Sequence, residues 1–599
     1  MSVAFRNALL WLFGSALMIV AALSSMSAAY VDGHYVPDNE DAFYHARRIL
    51  DSVLNHAPVA QFDAKIHAPE GSWLTWPWGF DTLMATITGW FGPFADVDHA
   101  NRVLMNISPL ATVVAVLLVV LIARQLALPL LHSAVLTLGF ALLPAAFRTF
   151  SVGNVDHHFA EMTWTLGTWA AGLWFCREGG RSLLPALVLG AVLGSAVAIQ
   201  NGLFILQLPL CIFFALRWLR GEELPARRPM IAFALALVVA TLASCIPSEP
   251  WRRGFFEFYT LSWFHLYIAV LVAAFSVALT FFRRTRRSLV VMTVLAGLAL
   301  LPLFGMLYLA GTFVSGNLTT VQDISEAKSP YRLLIERGEA ESTMYMSWLM
   351  VLMLPMLLLN LWWAWRRREP QLQLAAILSV FGLALFQSQY RFCVFGVLPM
   401  LLTPLLALRQ WSEARPALGR FAPAAVLALF GLAYLPTAGA WTTTWALGSN
   451  LGYANVRSTW PRFAQLCREH PGIAFATIEA GHWIRYHTDC AVMANVFLLT
   501  PQHAAKIDEN SHLLRLTPAQ FLTERRDIRY VFVFHGVTIS EEVPGHETPV
   551  LEVLRQQLAP LERDLLGPEK DIPPEFEKRW EVRSPQGQIY SRLYEIVRR

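Results

Sequence analysis

Apolar runs of about 20 residues, the length a helix needs to cross a bilayer, recur from residue 9 to about residue 440 of this 599-residue chain and then stop. Only 15% of the residues are charged and 55% are hydrophobic, whereas a soluble domain carries roughly 25% charge. Such a chain needs a non-aqueous solvent. Beyond the last run the composition becomes that of an ordinary water-soluble domain. The sequence therefore predicts a polytopic α-helical membrane domain over 1–445 and one soluble domain over 446–599, large enough to fold as a unit. The first run, 9–30, follows Arg6 and contains SSMSAA, which looks like a signal-peptidase site. Because so many runs follow, it reads as an uncleaved signal anchor.

Cytoplasmic loops are enriched in Lys and Arg. Basic clusters fall at Arg124, Arg177 and Arg181, Arg217 to Arg228, Arg283 to Arg287, Arg366 to Arg368, and Arg409 to Arg420. Two crossings fit between each neighbouring pair. The count gives about thirteen transmembrane helices, with the N-terminus inside and the soluble domain outside. That is a multi-pass inner-membrane protein with a periplasmic C-terminal domain. Arg148, Arg252 and Arg253 fall on the external side, either as exceptions or as positions where an anionic ligand is met. The net charge of +4 is small and its arginines lie in loops, a pattern that does not suggest nucleic-acid binding. The six cysteines show no CxxC and no zinc spacing. Cys176, Cys211, Cys245 and Cys393 serve as small hydrophobes at apolar runs. Cys467 and Cys490 stand alone in the soluble domain, and an oxidising compartment would allow them to pair; the sequence leaves this open.

The external loops hold the chemistry. In the first, VPDNEDAFYHARRILDS places Asp38, Glu40 and Asp41 before a helical pattern; capping and dipole compensation account for Asp38 and Glu40. Trp73, Trp76 and Trp78 follow, a sugar-stacking surface or, the reading taken, an interfacial aromatic belt. The second external loop reads SVGNVDHHFAE, with Asp156, His157, His158 and Glu161 at the start of an apolar helix, where ionisable groups by default mark function. A long polar loop, about 310–347, contains Asp323, Glu326 and Lys328, and loops of that length tend to bind or cover ligands. The arginine count alone puts Asp41, Asp156, His158 and Glu326 on one face. Oxygen ligands with at most one imidazole suit Mg²⁺ or Mn²⁺, an ion able to hold donor phosphate oxygens. Arg391, in QSQYRFC, lies at the external end of a late helix, as an interfacial anchor or a phosphate contact.

Together these residues resemble the catalytic subunit of oligosaccharyltransferase and its single-subunit archaeal and bacterial relatives, within the C-type glycosyltransferases. The resemblance covers the whole length: about thirteen helices (the GT-C fold) followed by an external mixed α/β domain. It rests on DAFYHAR for the catalytic Asp41, VDHH for Asp156 and His158, DISEAKSP for Glu326, and the helix arginine Arg391 that would contact the donor pyrophosphate. Where the family has WWDYG followed by Tyr or His and Trp-Ile, this chain has TIEAGHWI. Gly481, Trp483 and Ile484 match the tail, His482 falls between them, Glu479 stands for the Asp, and Thr477 and Ile478 replace both tryptophans. The acceptor contacts implied are Glu479, His482 and Trp483, with an altered acceptor preference.

The resemblance implies an inverting, metal-dependent glycosyltransferase that moves a glycan from a polyprenyl (undecaprenyl-type) phosphate or pyrophosphate donor to a periplasmic acceptor. Asp41 and Glu326 would orient or deprotonate the acceptor, with protein asparagine one candidate. Transfer to an envelope polysaccharide or lipid is the alternative that the TIEAG segment favours. A transporter or flippase is the rival from another class, yet transporters show internal repeats, and none is found here. In the soluble domain, RYVFVFHGV reads as a strand, VLEVLRQQLAPLERDLL as a helix, GPEKDIPPEFEKRW as a solvated connection and QIYSRLYEIVRR as a last strand.

Overall fold

The computed structural model describes residues 2–31, 33–178, 181–310, 328–332, 342–419, 421–434, 453, 456–497, 500–534, 558–583, 587 and 589–598. Glu326 and Asp323 lie outside the described residues. Among the described residues, eight helices from Val3–Leu23 to Tyr390–Ala414 are long and apolar enough to cross a membrane. A ninth crossing is available if Leu130–Leu142 and Pro144–Phe150, bent by 58°, form one span. Helices are the natural answer to these runs, because each satisfies its own backbone hydrogen bonds without water.

Leu183–Ile199 packs along Arg227–Cys245. It does so through Gly190 and Gly194, where an added Cβ would run into the backbone carbonyls of Phe233 and Leu237. Small residues four apart let membrane helices approach closely. The innermost of the apolar helices is Tyr390–Ala414, 78% of whose apolar window is buried. Val3–Leu23 is peripheral and is pinned by Trp11, whose indole N–H donates to the Val113 carbonyl at 2.9 Å. At the end of the bundle that carries the basic loops, Arg217 meets Glu222 at 3.1 Å and Gln373 at 2.6 Å, and Arg220 meets Glu222 at 2.9 Å.

After the helices comes a five-stranded sheet: β1 (Ile473–Phe475), β2 (Ala491–Val492), β3 (Ile528–Phe534), β4 (Phe576–Arg583) and β5 (Ile589–Ile596), in the order β2-β1-β3-β5-β4. The β1–β2 and β1–β3 pairs are parallel; β3–β5 and β4–β5 are antiparallel. The central strand IRYVFVF is buried almost throughout, as a strand covered on both faces must be. The segment read as a solvated connection is one only in its first half, since β4 begins at Phe576. Its charges hid it. Glu577, Lys578, Arg579, Glu581 and Arg583 decorate an edge strand, where charge blocks further pairing, and Arg579 and Glu581 bond across to Glu595 and Arg592 at 2.8 and 2.7 Å. Cys467, in helix Thr459–Glu469, is joined to Cys490 by a disulfide, both fully buried.

Candidate active site

Helix Glu40–Asn55 begins at Asn39, whose side-chain oxygen accepts from the Ala42 N–H at 2.9 Å. The cap is therefore Asn39, and Asp38 does something else. Its carboxylate accepts from the Ser151 hydroxyl at 3.1 Å and from the Asn39 amide at 2.8 Å, while its N–H donates to the Gly153 carbonyl at 3.2 Å. Asp38 thus fastens the loop before helix Glu40–Asn55 to the loop before helix His158–Arg177. Burial, with a smaller push from the Asp156 charge, raises its pKa to about 7. Gly153 sits at φ +84°, and a Cβ there would collide with Ala29; only glycine allows this loop to lie so close.

The first helix carries His45 and Arg48 on the same inward stripe as Tyr44 and Ile49. Opposite His45, the second loop delivers Asp156 and His157 just before helix His158–Arg177, whose first turn supplies Glu161. These five ionisable groups meet. Asp156 Oδ1 is 2.7 Å from His157 Nδ1 and 3.7 Å from His45 Nε2, and Oδ2 is 3.4 Å from His158 Nε2. His158 Nδ1 is 2.8 Å from Glu161. Burial works against the Asp156 charge, yet His158, His157 and His45 together hold its carboxyl well below the usual range. Two overlapping sets of ligand atoms are close enough to share a cation: His45, Asp156 and His157, and then His157, His158 and Glu161. Asp156 Oδ1 is buried against His157 Nδ1, and the two imidazoles around it converge on the same point. A convergent set of imidazole and carboxylate donors fits a divalent cation.

Asp41 and His45 lie one turn apart on the same helix, but Asp41 is in neither of those sets; its carboxylate is 3.7 Å from His482 Nδ1. Arg391, in the 3₁₀ turn Tyr390–Phe392, acts electrostatically on Glu161. The Lys328 carbonyl accepts from the Tyr390 N–H at 2.8 Å. The described residue two positions beyond Glu326 is therefore tied next to Arg391.

The C-terminal domain caps this region. Helix Ile478–His487 packs on Glu40–Asn55, with His482 Nδ1–H donating to the Glu40 carbonyl at 2.9 Å. Burial pushes the His482 pKa down to about 3, so the ring is neutral. Arg485 pairs with Asp63 at 3.0 Å, and Asp63 also accepts from the Tyr44 hydroxyl at 2.8 Å. Trp483 is buried among Tyr453, Trp460 and Phe534, while Glu479 is exposed on the first turn of its helix.

Trp76 does not form an interfacial belt. It is buried and stacks on the His45 ring at 3.9 Å, because the loop folds inward over the cluster. Trp73 lies under the Arg253 guanidinium, 4.7 Å away, and Arg253 pairs with Glu249 at 3.0 Å; that arginine is occupied structurally. Sequence reasoning marked His157 within the ionisable helix start but not as a ligand, and it did not single out His45 or Asp81. The available signal for His45 was its spacing of four from Asp41, which places both near one face of a helix.

No known family profile matches the chain, and no curated protein sequence matches it. Solved structures do. The archaeal oligosaccharyltransferase AglB from Archaeoglobus fulgidus, in complex with an inhibitory peptide and a dolichol-phosphate, aligns with a TM-score of 0.71 at 16% identity, covering 99% of this chain and 74% of that one. The Archaeoglobus fulgidus oligosaccharyltransferase tethered to an acceptor peptide with the NVT sequon gives 0.69 at 16% identity over 98% and 74%. Its complex with Zn and sulfate gives 0.68 at 14% identity over 98% and 73%. At such identities the likeness establishes a shared fold.

Proposed function

We propose, on the premise of a fold shared with an archaeal oligosaccharyltransferase, that this chain is a multi-pass membrane glycosyltransferase using a polyprenyl-linked glycan donor on the external face of the inner membrane. One observation carries the reading: Asp156, His158 and Glu161 converge at the start of helix His158–Arg177 near Arg391, beneath a C-terminal domain whose His482 reaches Asp41. The orientation has the N-terminus inside and the domain over 446–599 in the periplasm. Thirteen crossings are supported by the eight apolar helices, the bent pair and four more helices, His158–Arg177, Leu183–Ile199, Ser342–Arg367 and Ala422–Tyr434.

In this reading Asp41, Asp156, His158 and Glu326 hold a divalent ion, Mg²⁺ or Mn²⁺. When bound it would neutralise charge on the donor phosphate oxygens. Arg391 contacts the same phosphate or pyrophosphate. Asp41 and Glu326 orient the acceptor and take its proton as the nucleophile attacks the anomeric carbon; the bonding pair of the C1–O bond leaves with the phosphate, and the configuration inverts. Glu479, His482 and Trp483 belong to the acceptor side, with His482 acting on Asp41 and Trp483 supporting it from the domain core.

A second acceptor class has its own support. The segment that would grip a protein sequon lacks both leading tryptophans, and Trp483 is turned into the core. Transfer to an envelope polysaccharide or lipid is thus the alternative to protein asparagine. Both are tested by incubating the purified chain with lipid-linked oligosaccharide and weighing the products by mass spectrometry. Asp41→Ala and Glu326→Ala should each abolish transfer; near wild-type rates in either would remove the assignment.

A further inference from the structure

Asp156 faces two ways. Its Oδ2 is turned to His158, on the side of the ion proposed above, whereas Oδ1 faces His157 Nδ1 at 2.7 Å and His45 Nε2 at 3.7 Å. The two imidazole nitrogens are 3.2 Å from each other. The contact of Oδ1 with His157 is made inside the protein, Asp156 being only 4% exposed, so all three ligand atoms face one another away from solvent. Three ligand atoms around one zinc-type ion, at about 2.0–2.2 Å from it, stand roughly 3.3–3.5 Å apart. The observed edges bracket that spacing.

His45 is also prepared from behind. Its Nδ1 is 2.6 Å from Asp81 Oδ1, and the other Asp81 oxygen pairs with Arg48 at 2.5 Å. All three side chains are buried. One face of the imidazole is covered by Trp76, at 3.9 Å and 21° from parallel, and its edge meets Phe80 at 5.1 Å. Asp81, accepting from Nδ1–H, holds the proton on that nitrogen and leaves Nε2 facing Asp156 and His157. This carboxylate–imidazole pairing is how proteins fix the tautomer and direction of a metal-binding histidine. A plain core histidine does not require a buried ion pair to choose its tautomer.

We propose that His45 Nε2, His157 Nδ1 and Asp156 Oδ1 form a second cation site, selective for a borderline transition metal of the Zn²⁺ or Co²⁺ class, with Asp81 as its positioning residue. Two imidazoles and one carboxylate suit such ions and not Mg²⁺, which prefers all-oxygen surroundings. Asp156 would bridge the two positions, so the second ion would fix the direction of the oxygen offered to the first. The inference rests on the proposed function only in sharing Asp156, and metal binding tests it without donor or acceptor.

The probe is Co²⁺. Chelator-stripped full-length protein in detergent is loaded with Co²⁺ in the presence of millimolar Mg²⁺, desalted, and read by metal content and visible d–d absorption. One retained equivalent per chain is expected. Asp81→Asn, which preserves shape but not tautomer control, should weaken retention about 10–100-fold; His45→Gln should remove it, and His158→Ala should keep it. The proposal is overturned if wild-type protein retains no Co²⁺ against Mg²⁺, if Asp81→Asn and His45→Gln bind as wild type does, or if His158→Ala alone loses the ion. Absence of retained Co²⁺ in the wild type overturns the proposal even if a variant fails to fold. A transfer assay on the same samples separates the two ideas, because glycan transfer with no retained Co²⁺ would sink the second site and leave the enzyme standing.

Discussion

The helical bundle buries a charged cluster near each end, and the two are built differently. At the end with the basic loops, Arg217, Arg220, Glu222 and Gln373 close on one another, and Arg220 also stacks on Trp365 at 3.9 Å. Both guanidiniums share Glu222 and donate further to the backbone carbonyls of Glu223 and Trp365, so each polar group is spent on the fold, as a structural network requires. At the other end, His45, His157 and His158 crowd Asp156 and Glu161, and their ligand atoms converge in two overlapping sets that could each hold a cation. Burying ionisable groups is costly in a membrane domain. The difference teaches that the first cluster spends its polar capacity on the fold, and the second holds it in reserve for a ligand.

The largest effect expected from this contrast is in activity. Asp156→Asn should lower transfer by about 10²–10³-fold or more, the scale seen when a preorganised charge contact is lost, with little change in thermal unfolding. Arg217→Met should do the reverse: a buried Glu222 left with Arg220 alone costs part of the about 3–5 kcal/mol of a broken buried pair, while turnover per folded molecule is kept. If Arg217→Met silences a well-folded protein, or Asp156→Asn unfolds it, the contrast between the clusters collapses.

Next in size is the disulfide. Cys467 and Cys490 are 23 residues apart, and opening a loop of that length costs about 3 kcal/mol in chain entropy. The Cys467→Ser, Cys490→Ser double variant should unfold earlier in the C-terminal domain and leave the membrane helices unaffected, a separation readable by domain-resolved proteolysis. Equal loss in both regions would show that they unfold as one unit.

The smallest effect concerns how the two regions dock. His67 Nε2–H donates to Asn495 Oδ1 at 2.9 Å, and His503 Nε2 shares a hydrogen bond with the Ser72 hydroxyl at 2.9 Å. Burial pushes their pKa values down to about 4 and about 3. Folded values below that of free imidazole mean that the unfolded chain binds more protons between about pH 6.5 and 4. Stability from these groups is complete above about pH 7 and is lost as pH falls through that window, by about 1–2 kcal/mol each at pH 5. Asp38, raised to about 7, has the opposite sign: its folded form holds an extra proton between about pH 4 and 7, so its contribution declines as pH rises. In unfolding midpoints scanned from pH 8 to 4, His67→Gln with His503→Gln should flatten the acid loss and Asp38→Asn should steepen it. Unchanged slopes in both would mean that neither pair matters to docking.

Much of this architecture was legible because bilayer crossing writes itself into composition. Apolar runs and arginine loops marked the helical region, and of the acidic motifs read from them those at Asp41 and Asp156 lie at one end of the bundle. Asp156 and His158 were readable because two charges at the start of an apolar helix have no cheap structural use. His45 and Asp81 were not, since their meaning arises only when the first loop folds back and Trp76 covers the ring. Asp38 passed for a cap because the neighbouring Asn39 could fill the same role from one position later, and only the tertiary bond to Ser151 separates them. Strand β4 was hidden by its own edge charges, which sequence patterning cannot distinguish from a solvated loop.

The most direct measurement of the central claim is the mass spectrum of products formed by purified chain from a polyprenyl pyrophosphate oligosaccharide, with Mg²⁺ or Mn²⁺ and extracts of periplasmic protein and envelope glycan as acceptors. The expected result is donor consumption with one new glycosylated product, present for wild type and absent for Asp156→Asn. Intact donor with wild-type protein, or equal product from Asp156→Asn, would contradict it.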